Sequence, residues 1–228
     1  KSEKDCGELL KVNTMVEKEE MVSSNDGTAR RTGSMPDPAV LSFMTARVKN
    51  QPHNTAFSVY EEGFWRTMSY AEIRHRSNVL SSWLIEQSLQ HGSRVAILSE
   101  SKPEWGIAFF TIVRAGGIVL PLDRSLTIEE LKPIIQDAQP SAIFASANYL
   151  ETAETLCKCF HGIEHIIVME DESQPGRYQS YRELKPSAGV IDVQERQWDE
   201  LAVLTYTSGT TGTPKGVMTS FQNLGFEV

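Results

Sequence analysis

The sequence predicts an α/β fold built on a mostly parallel sheet flanked by helices. Three observations carry this expectation. From residue 94 onward, short apolar runs alternate with helical patterns of about ten or more residues. Two Ser/Thr-x-x-Glu capping boxes, Ser69–Glu72 and Thr127–Glu130, mark helix starts. A last apolar run at 200–206 leads directly into a glycine-rich stretch. That stretch therefore falls past the carboxyl end of a strand, where open α/β sheets bind ligands.

Taken in order, residues 1–36 are polar and of mixed charge, including "SSNDGTARRTGS", and are expected to form a flexible or disordered leader. Leu9, Val12 and Val16 give only a weak helical spacing. The folded domain is expected over 37–228. Asp37 can cap a helix and Pro38 suits its first position; Leu41, Met44 and Val48 then recur at helical spacing. "TAFSVY" and "FWRTM" read as two strands joined through Glu61, Glu62 and Gly63. Ser69 opens a helix with Ile73, Ser77, Leu80 and Leu84 on one face, expected to run to Gly92. "RVAIL" (94–98) is a buried strand. "PEWGIAFFTIVRAGG" is a helix that opens at Pro103, is apolar on most faces, and stops at Gly116 and Gly117. "IVLPL" (118–122) is a strand. "IEELKPIIQDA" is a helix that Pro133 is expected to kink or to start late. "SAIFAS", "NYLETAETLCKCF" and "HIIVME" read as strand, helix and strand. A loop around "DESQPGRYQS" precedes the final strand, "ELAVLTYT", and the chain closes in what reads as the opening of a helix.

Composition narrows the function. The 228 residues are 40% hydrophobic and 23% charged, with a net charge of −8, which argues against a nucleic-acid partner. No apolar run approaches the ~20 residues of a membrane span, though a peripheral membrane contact stays open. No signal peptide is visible, and Cys6, Cys157 and Cys159 cannot build a disulfide framework, so a reducing, cytoplasmic setting is expected. Lys1 and Val228 both read as cut ends, so the chain is expected to be the N-terminal piece of a longer protein.

The chemistry concentrates in "TYTSGTTGTPKGV" (205–217). Ser208, Gly209, Thr210, Thr211, Gly212, Thr213, Pro214 and Gly216 offer small side chains, hydroxyl donors and approachable amides, and Lys215 adds one point charge. This donor set suits a polyphosphate, most plausibly that of a nucleoside triphosphate. It is not the Walker A pattern, since Pro214 precedes the lysine and Gly216 follows it, nor is it GxGxxG. A flexible linker or a plain strand-to-strand turn is the alternative.

At these residues the sequence resembles the adenylate-forming, AMP-binding enzymes: acyl-CoA synthetases, peptide-synthetase adenylation domains and luciferases. "YTSGTTGTPKG" is similar to their phosphate-loop signature. "FWRTMSYAEI" and "SKPEWGIAFFTIVRAGGIVLPLD" also resemble segments of their N-terminal domain, and Pro103-Glu104-Trp105 is most like the long-chain fatty acyl-CoA synthetases. The resemblance covers about 38–228. It implies a two-step ligase: a carboxylate, here a fatty acid, attacks ATP to give an acyl-adenylate, and coenzyme A or a carrier-protein thiol then takes the acyl group. It implies that Ser208–Gly212 wrap the β- and γ-phosphates, that Lys215 is catalytic and neutralises pyrophosphate, and that Thr207 ligates Mg2+. Thr207, Thr213, Pro214 and Gly216 complete the nucleotide loop. Many relatives carry a histidine where Phe221 stands. The family's adenine, ribose and later catalytic motifs would lie beyond Val228, so the chain alone is expected not to complete adenylation. A peptide-synthetase adenylation domain and a non-catalytic nucleotide- or acyl-binding module are the alternatives.

Other signals read as structural. "HGIEH" (161–165) matches an inverted zinc-protease pattern, but Gly162 and the following strand argue for a loop. Cys157 and Cys159 point to different sides of one helix. Trp105, Phe109 and Phe110 are packing residues, Arg114 faces its helix's last carbonyls, and Asp123 either lines the cleft or makes a turn.

Overall fold

The computed structural model describes residues 39–61, 63–170, 178, 180–190, 196–207 and 214–225. The expected leader and the Asp37–Pro38 cap lie outside these residues. Helix α1 (Ala39–Asn50) is followed by strands β1 (Thr55–Glu61) and β2 (Phe64–Ser69), an antiparallel pair joined where a hairpin was expected. Helix α2 (Tyr70–Glu86) begins on the expected capping box, with Ser69 Oγ accepting from the Glu72 amide and the Glu72 carboxylate accepting from the Ser69 amide at 2.9 Å. Ile73, Ser77, Leu80 and Leu84 are all buried along it.

That helix ends at Glu86, six residues before the expected stop at Gly92. Ser88 turns left-handed at φ 65°, its N–H donates to Ile85 O, and the Leu89 N–H reaches back to Leu84 O. These two bonds are the Schellman arrangement that satisfies terminal carbonyls. A serine here carries the role usually signalled by glycine, and Gly92 instead serves a later turn at φ 79°.

The main sheet follows. Strands β3 (Arg94–Leu98), β4 (Ile118–Pro121), β5 (Ala142–Ala145), β6 (His165–Val168), β7 (Leu201–Thr207) and β8 (Lys215–Ser220) lie in the order β6-β5-β3-β4-β7-β8. All neighbours are parallel except β7 and β8. Helices α3 (Pro103–Arg114), α4 (Ile128–Ala138) and α5 (Leu150–Cys159) make the crossovers, and α6 (Phe221–Gly225) closes the described chain. The fold class is therefore the expected one, a mostly parallel sheet between helices.

Strand alternation sends Val95 and Ile97 to one face and Ala96 and Leu98 to the other. The first face packs with α1, α2 and α3 through Leu41, Met44, Ile73, Leu80, Ile107 and Val113. The second packs with α4 and α5 through Leu131, Ile134, Ile135, Ala153 and Leu156. Burial on both faces explains why the strands read as continuous apolar runs rather than alternating ones.

Pro133 neither delays nor ends α4, which starts at Ile128 on the Thr127–Glu130 capping box and continues to Ala138. The proline is exposed, so the Glu129 carbonyl that loses its N–H partner faces water. Among the described residues no helix is long and apolar enough to cross a membrane.

Candidate functional site

The two ends of the glycine-rich stretch stand side by side. Across the β7–β8 ladder Thr205 faces Val217, Tyr206 faces Gly216, and Thr207 faces Lys215. Thr207 and Lys215 are thus the last pair at the mouth of a hairpin, and both are exposed. Pro214 leads into β8, where its missing N–H costs no ladder bond. Ser208, Gly209, Thr210, Thr211, Gly212 and Thr213 lie outside the described residues.

This pairing makes the stretch a strand-to-strand connection, the topology of the plain alternative. The two readings do not exclude each other, because a hairpin mouth is also where amides leave the ladder and can meet an anion. Strand β8 was not expected. Val217 and Thr219 favour strands, but two such residues flanking Met218 after a glycine form too short a run to separate from a loop.

Gly216 has a local reason to be glycine. A Cβ there would lie 3.1 Å from Leu204 Cδ1 and 3.4 Å from Tyr206 Cζ, so the Tyr206 ring lies across it. The Tyr206 hydroxyl donates to the Asp137 carboxylate on α4. Partial burial, and then the Asp137 carboxylate, push the phenol up to about 12, so it remains a donor at ordinary pH.

Phe221 is 0% exposed and lies under the Arg196 guanidinium at 4.9 Å. Arg196 donates to Leu201 O at 3.1 Å and to Gly117 O at 3.3 Å, and its Nε stands 2.7 Å from Glu200. Position 221 is thus part of the core. Ser220 and Asn223 cap the start of α6 just before it, with Ser220 Oγ accepting from the Asn223 amide.

The remaining candidates settle into structural roles. Asp123 accepts from the Ser125 N–H at 2.9 Å and its hydroxyl at 2.7 Å, bonds that hold its carboxyl below the usual range and make it a turn residue. Pro103 is the first residue of α3, Glu104 pairs with Arg66, and Trp105 stacks on Phe109 with centroids 5.9 Å apart. Arg114 is buried at the end of α3. His161 and Gly162 form a turn and His165 opens β6 against Trp83, so the two histidines share no helix. Cys159 is exposed; Cys157 is half-buried, and burial pushes its thiol up to about 11.

One cavity lies away from β7 and β8. It measures about 1070 Å³, opens between β2, α2 and residues 181–190, and is lined by His75, Arg76, Tyr181, Arg182 and Lys185 among others. None of its lining residues comes from β7 or β8. An anion held at a hairpin mouth needs donors and little enclosure.

The chain is similar to known proteins in sequence and in fold. Residues 44–228 match the family model described as AMP-binding enzyme. Tyrocidine synthase 2 of Brevibacillus parabrevis is 29% identical over 205 residues, which is 90% of this chain and 5% of that protein. The adenylation domain of a Mycobacterium chelonae carboxylate reductase superposes with a TM-score of 0.71 at 20% identity, covering 84% of this chain and 36% of that one, a likeness of fold. ATP-bound MatB from Rhodopseudomonas palustris gives a TM-score of 0.65 at 28% identity over 84% of this chain and 36% of that chain. The chain thus spans about a third of those solved structures and far less of the multidomain synthase. With a parallel sheet leading into the glycine-rich hairpin, and the family model running from α1 to the last residue, the chain belongs to the AMP-binding enzyme family.

Proposed function

We propose that the chain supplies the triphosphate-holding part of an AMP-forming acid–thiol ligase. In the reaction, a carboxylate oxygen attacks the α-phosphorus of ATP and pyrophosphate leaves, giving an acyl-adenylate. A thiol then attacks the acyl carbon and AMP leaves, giving a thioester. A carboxylate is a poor acyl donor and AMP a good leaving group, which is why ATP is needed.

The observation that carries this reading is the pairing of Thr207 with Lys215 at the exposed mouth of the β7–β8 hairpin. One end of the stretch presents a hydroxyl and the other an ammonium, and Gly216 leaves room for the Tyr206 ring beside them. In this proposal the amides and hydroxyls of Ser208–Gly212 hold the β- and γ-phosphates, with Thr213, Pro214 and Gly216 completing the loop. Lys215 offsets charge on the departing pyrophosphate, and the Thr207 hydroxyl would be a Mg2+ ligand. Catalysis of this kind rests on positioning and charge neutralisation.

For the acid we propose a fatty acid, on the resemblance of Pro103-Glu104-Trp105, with coenzyme A as acceptor. A second reading is favoured by the likeness to Tyrocidine synthase 2: an adenylation domain that passes its acyl group to a carrier-protein thiol. Calorimetric titration of the 228-residue chain with Mg–ATP tests the shared part. Saturable binding that weakens at least about tenfold in Lys215→Ala is expected; no binding at millimolar nucleotide would remove the phosphate role.

A further inference from the structure

We infer that Tyr206 is a positioning residue, whose hydrogen bond to Asp137 braces the mouth of the β7–β8 hairpin against α4 and fixes Thr207 relative to Lys215. The inference rests on the reading of that mouth as the triphosphate site.

The need for a brace follows from the ladder. Strand β7 registers with its parallel neighbour β4 only at Val119–Val203. On that register β4 ends at Pro121, level with Thr205, so Tyr206 and Thr207 run on past the last residue of β4 with β8 beside them. Strand β8 is the last strand of the sheet among the described residues, with Met218 72% exposed. A two-stranded ribbon projecting from a sheet twists and frays unless something holds it.

Tyr206 supplies the hold on two sides. Its ring covers Gly216 on the opposite strand, and it packs with Leu204 against the α4–α5 face of the core. Its hydroxyl reaches Asp137 in the last turn of α4, a residue 69 positions away in sequence. The foot of the brace is itself tied down. Arg94, at the start of β3, donates from Nε to Ala138 O at 2.6 Å and from Nη2 to Gln139 O at 3.4 Å, which fixes that end of α4 to the sheet. Asp137 is exposed, so the bond adds little to global stability, and its effect is local to the mouth.

Three substitutions in the 228-residue chain separate the contributions. Tyr206→Phe removes only the donor. Asp137→Ala removes the acceptor, and Asp137→Asn keeps one. Amide hydrogen exchange at Thr207, Lys215 and Gly216, with β3 and α2 as internal controls, is the primary readout. Exchange at these three amides is expected to rise about threefold to tenfold in Tyr206→Phe and in Asp137→Ala, to stay near the parent rate in Asp137→Asn, and to rise no further in the Tyr206→Phe/Asp137→Ala double variant. Affinity for Mg–ATP and for inorganic triphosphate should fall by a similar factor while Tm changes little. Parent-like exchange in Tyr206→Phe, or fully additive effects in the double variant, overturns the brace. If the parent chain binds neither ligand, the phosphate reading falls on that arm alone, and the exchange rates still decide whether the brace exists.

Discussion

Arg66 on β2 grips Glu104 on α3 with both arms of its guanidinium: Nη1 donates to Oε1 at 2.7 Å and Nη2 to Oε2 at 3.2 Å. Glu104 is 4% exposed and lies in the first turn of α3, where the helix dipole also favours a carboxylate. The pair fastens the separate β1–β2 sheet to the main body. Removing one partner strands the other, so Glu104→Ala is expected to cost about 2–3 kcal/mol, the low side of the range for buried pairs because 27% of the Arg66 side chain is exposed. Urea unfolding reads this as a lower midpoint at unchanged slope. Glu61→Ala, which removes the more exposed second carboxylate on Arg66, should cost under about 1 kcal/mol, and an equal loss in the two variants would contradict the assignment.

The same junction has a steric lock. A Cβ on Gly106 would stand 2.4 Å from Cε2 of Phe57, so the β1 ring packs directly onto the α3 backbone. Gly106→Ala would ordinarily help a helix by about 1 kcal/mol. Here the clash should win, for a net loss of about 1–3 kcal/mol. Phe57→Leu frees the space, so the double variant should recover part of the loss; a double-mutant cycle with no coupling would remove the contact from the account.

Both features were half legible in the sequence. The Pro103-Glu104-Trp105 run could be seen, and it resembled a family segment, but the sequence could not show that Glu104 answers Arg66 across 38 positions. Periodicity gave the strands and helices because burial on both sheet faces writes long apolar runs. Ends were less legible: Ser88 adopts a left-handed turn without glycine, and Pro133 is tolerated because its side of α4 faces water. At the candidate site the residue types of Thr207–Gly216 pointed to an anion. The hairpin and the Tyr206–Asp137 bond stayed hidden because pairing and long-range contact leave no local pattern.

The two capping boxes predict how stability responds to acid. Backbone N–H donors from Ser69 and Thr127 hold the Glu72 and Glu130 carboxyls below the ordinary glutamate value of 4.5. In the unfolded chain these groups take up protons first. Their contribution is therefore complete above that value and is lost as pH falls below it. Unfolding free energy should decline from about pH 5 to about pH 3, and the Glu72→Gln/Glu130→Gln double variant should show a shallower decline. At neutral pH, Ser69→Ala and Thr127→Ala should each cost about 1 kcal/mol. A double variant that follows the parent acid curve would assign that slope to other groups.

Lys215 should matter to ligand and hardly to fold. It is exposed, and it sits on the outermost described strand. Lys215→Ala is expected to leave Tm within a few degrees while adenylation by an enzyme carrying this segment drops about tenfold to a thousandfold, the usual range for losing a charge contact made in the transition state. Lys215→Arg should recover part of the rate, as it keeps the charge and changes its shape. An unchanged rate in Lys215→Ala would take the lysine out of the mechanism.

Phe221 offers the reverse case, a residue for which the resemblance implies a histidine and which is part of the core here. Its ring is fully buried beneath the Arg196 guanidinium, a cation that burial has already made harder to keep. Phe221→His would place an imidazole where a second positive charge is strongly disfavoured. At neutral pH the loss of apolar area and the partly unsatisfied ring nitrogens should cost about 2–3 kcal/mol. Below the ordinary histidine value of about 6.5, the unfolded chain gains a proton that the folded state resists. The penalty should therefore grow as pH falls from about 7 to about 5, where the parent chain has no matching change at this site. Chemical unfolding of parent and variant at those two pH values measures it. A penalty that stays constant or shrinks in acid would mean that position 221 opens to solvent, and that a histidine there could serve the active site without disturbing the core.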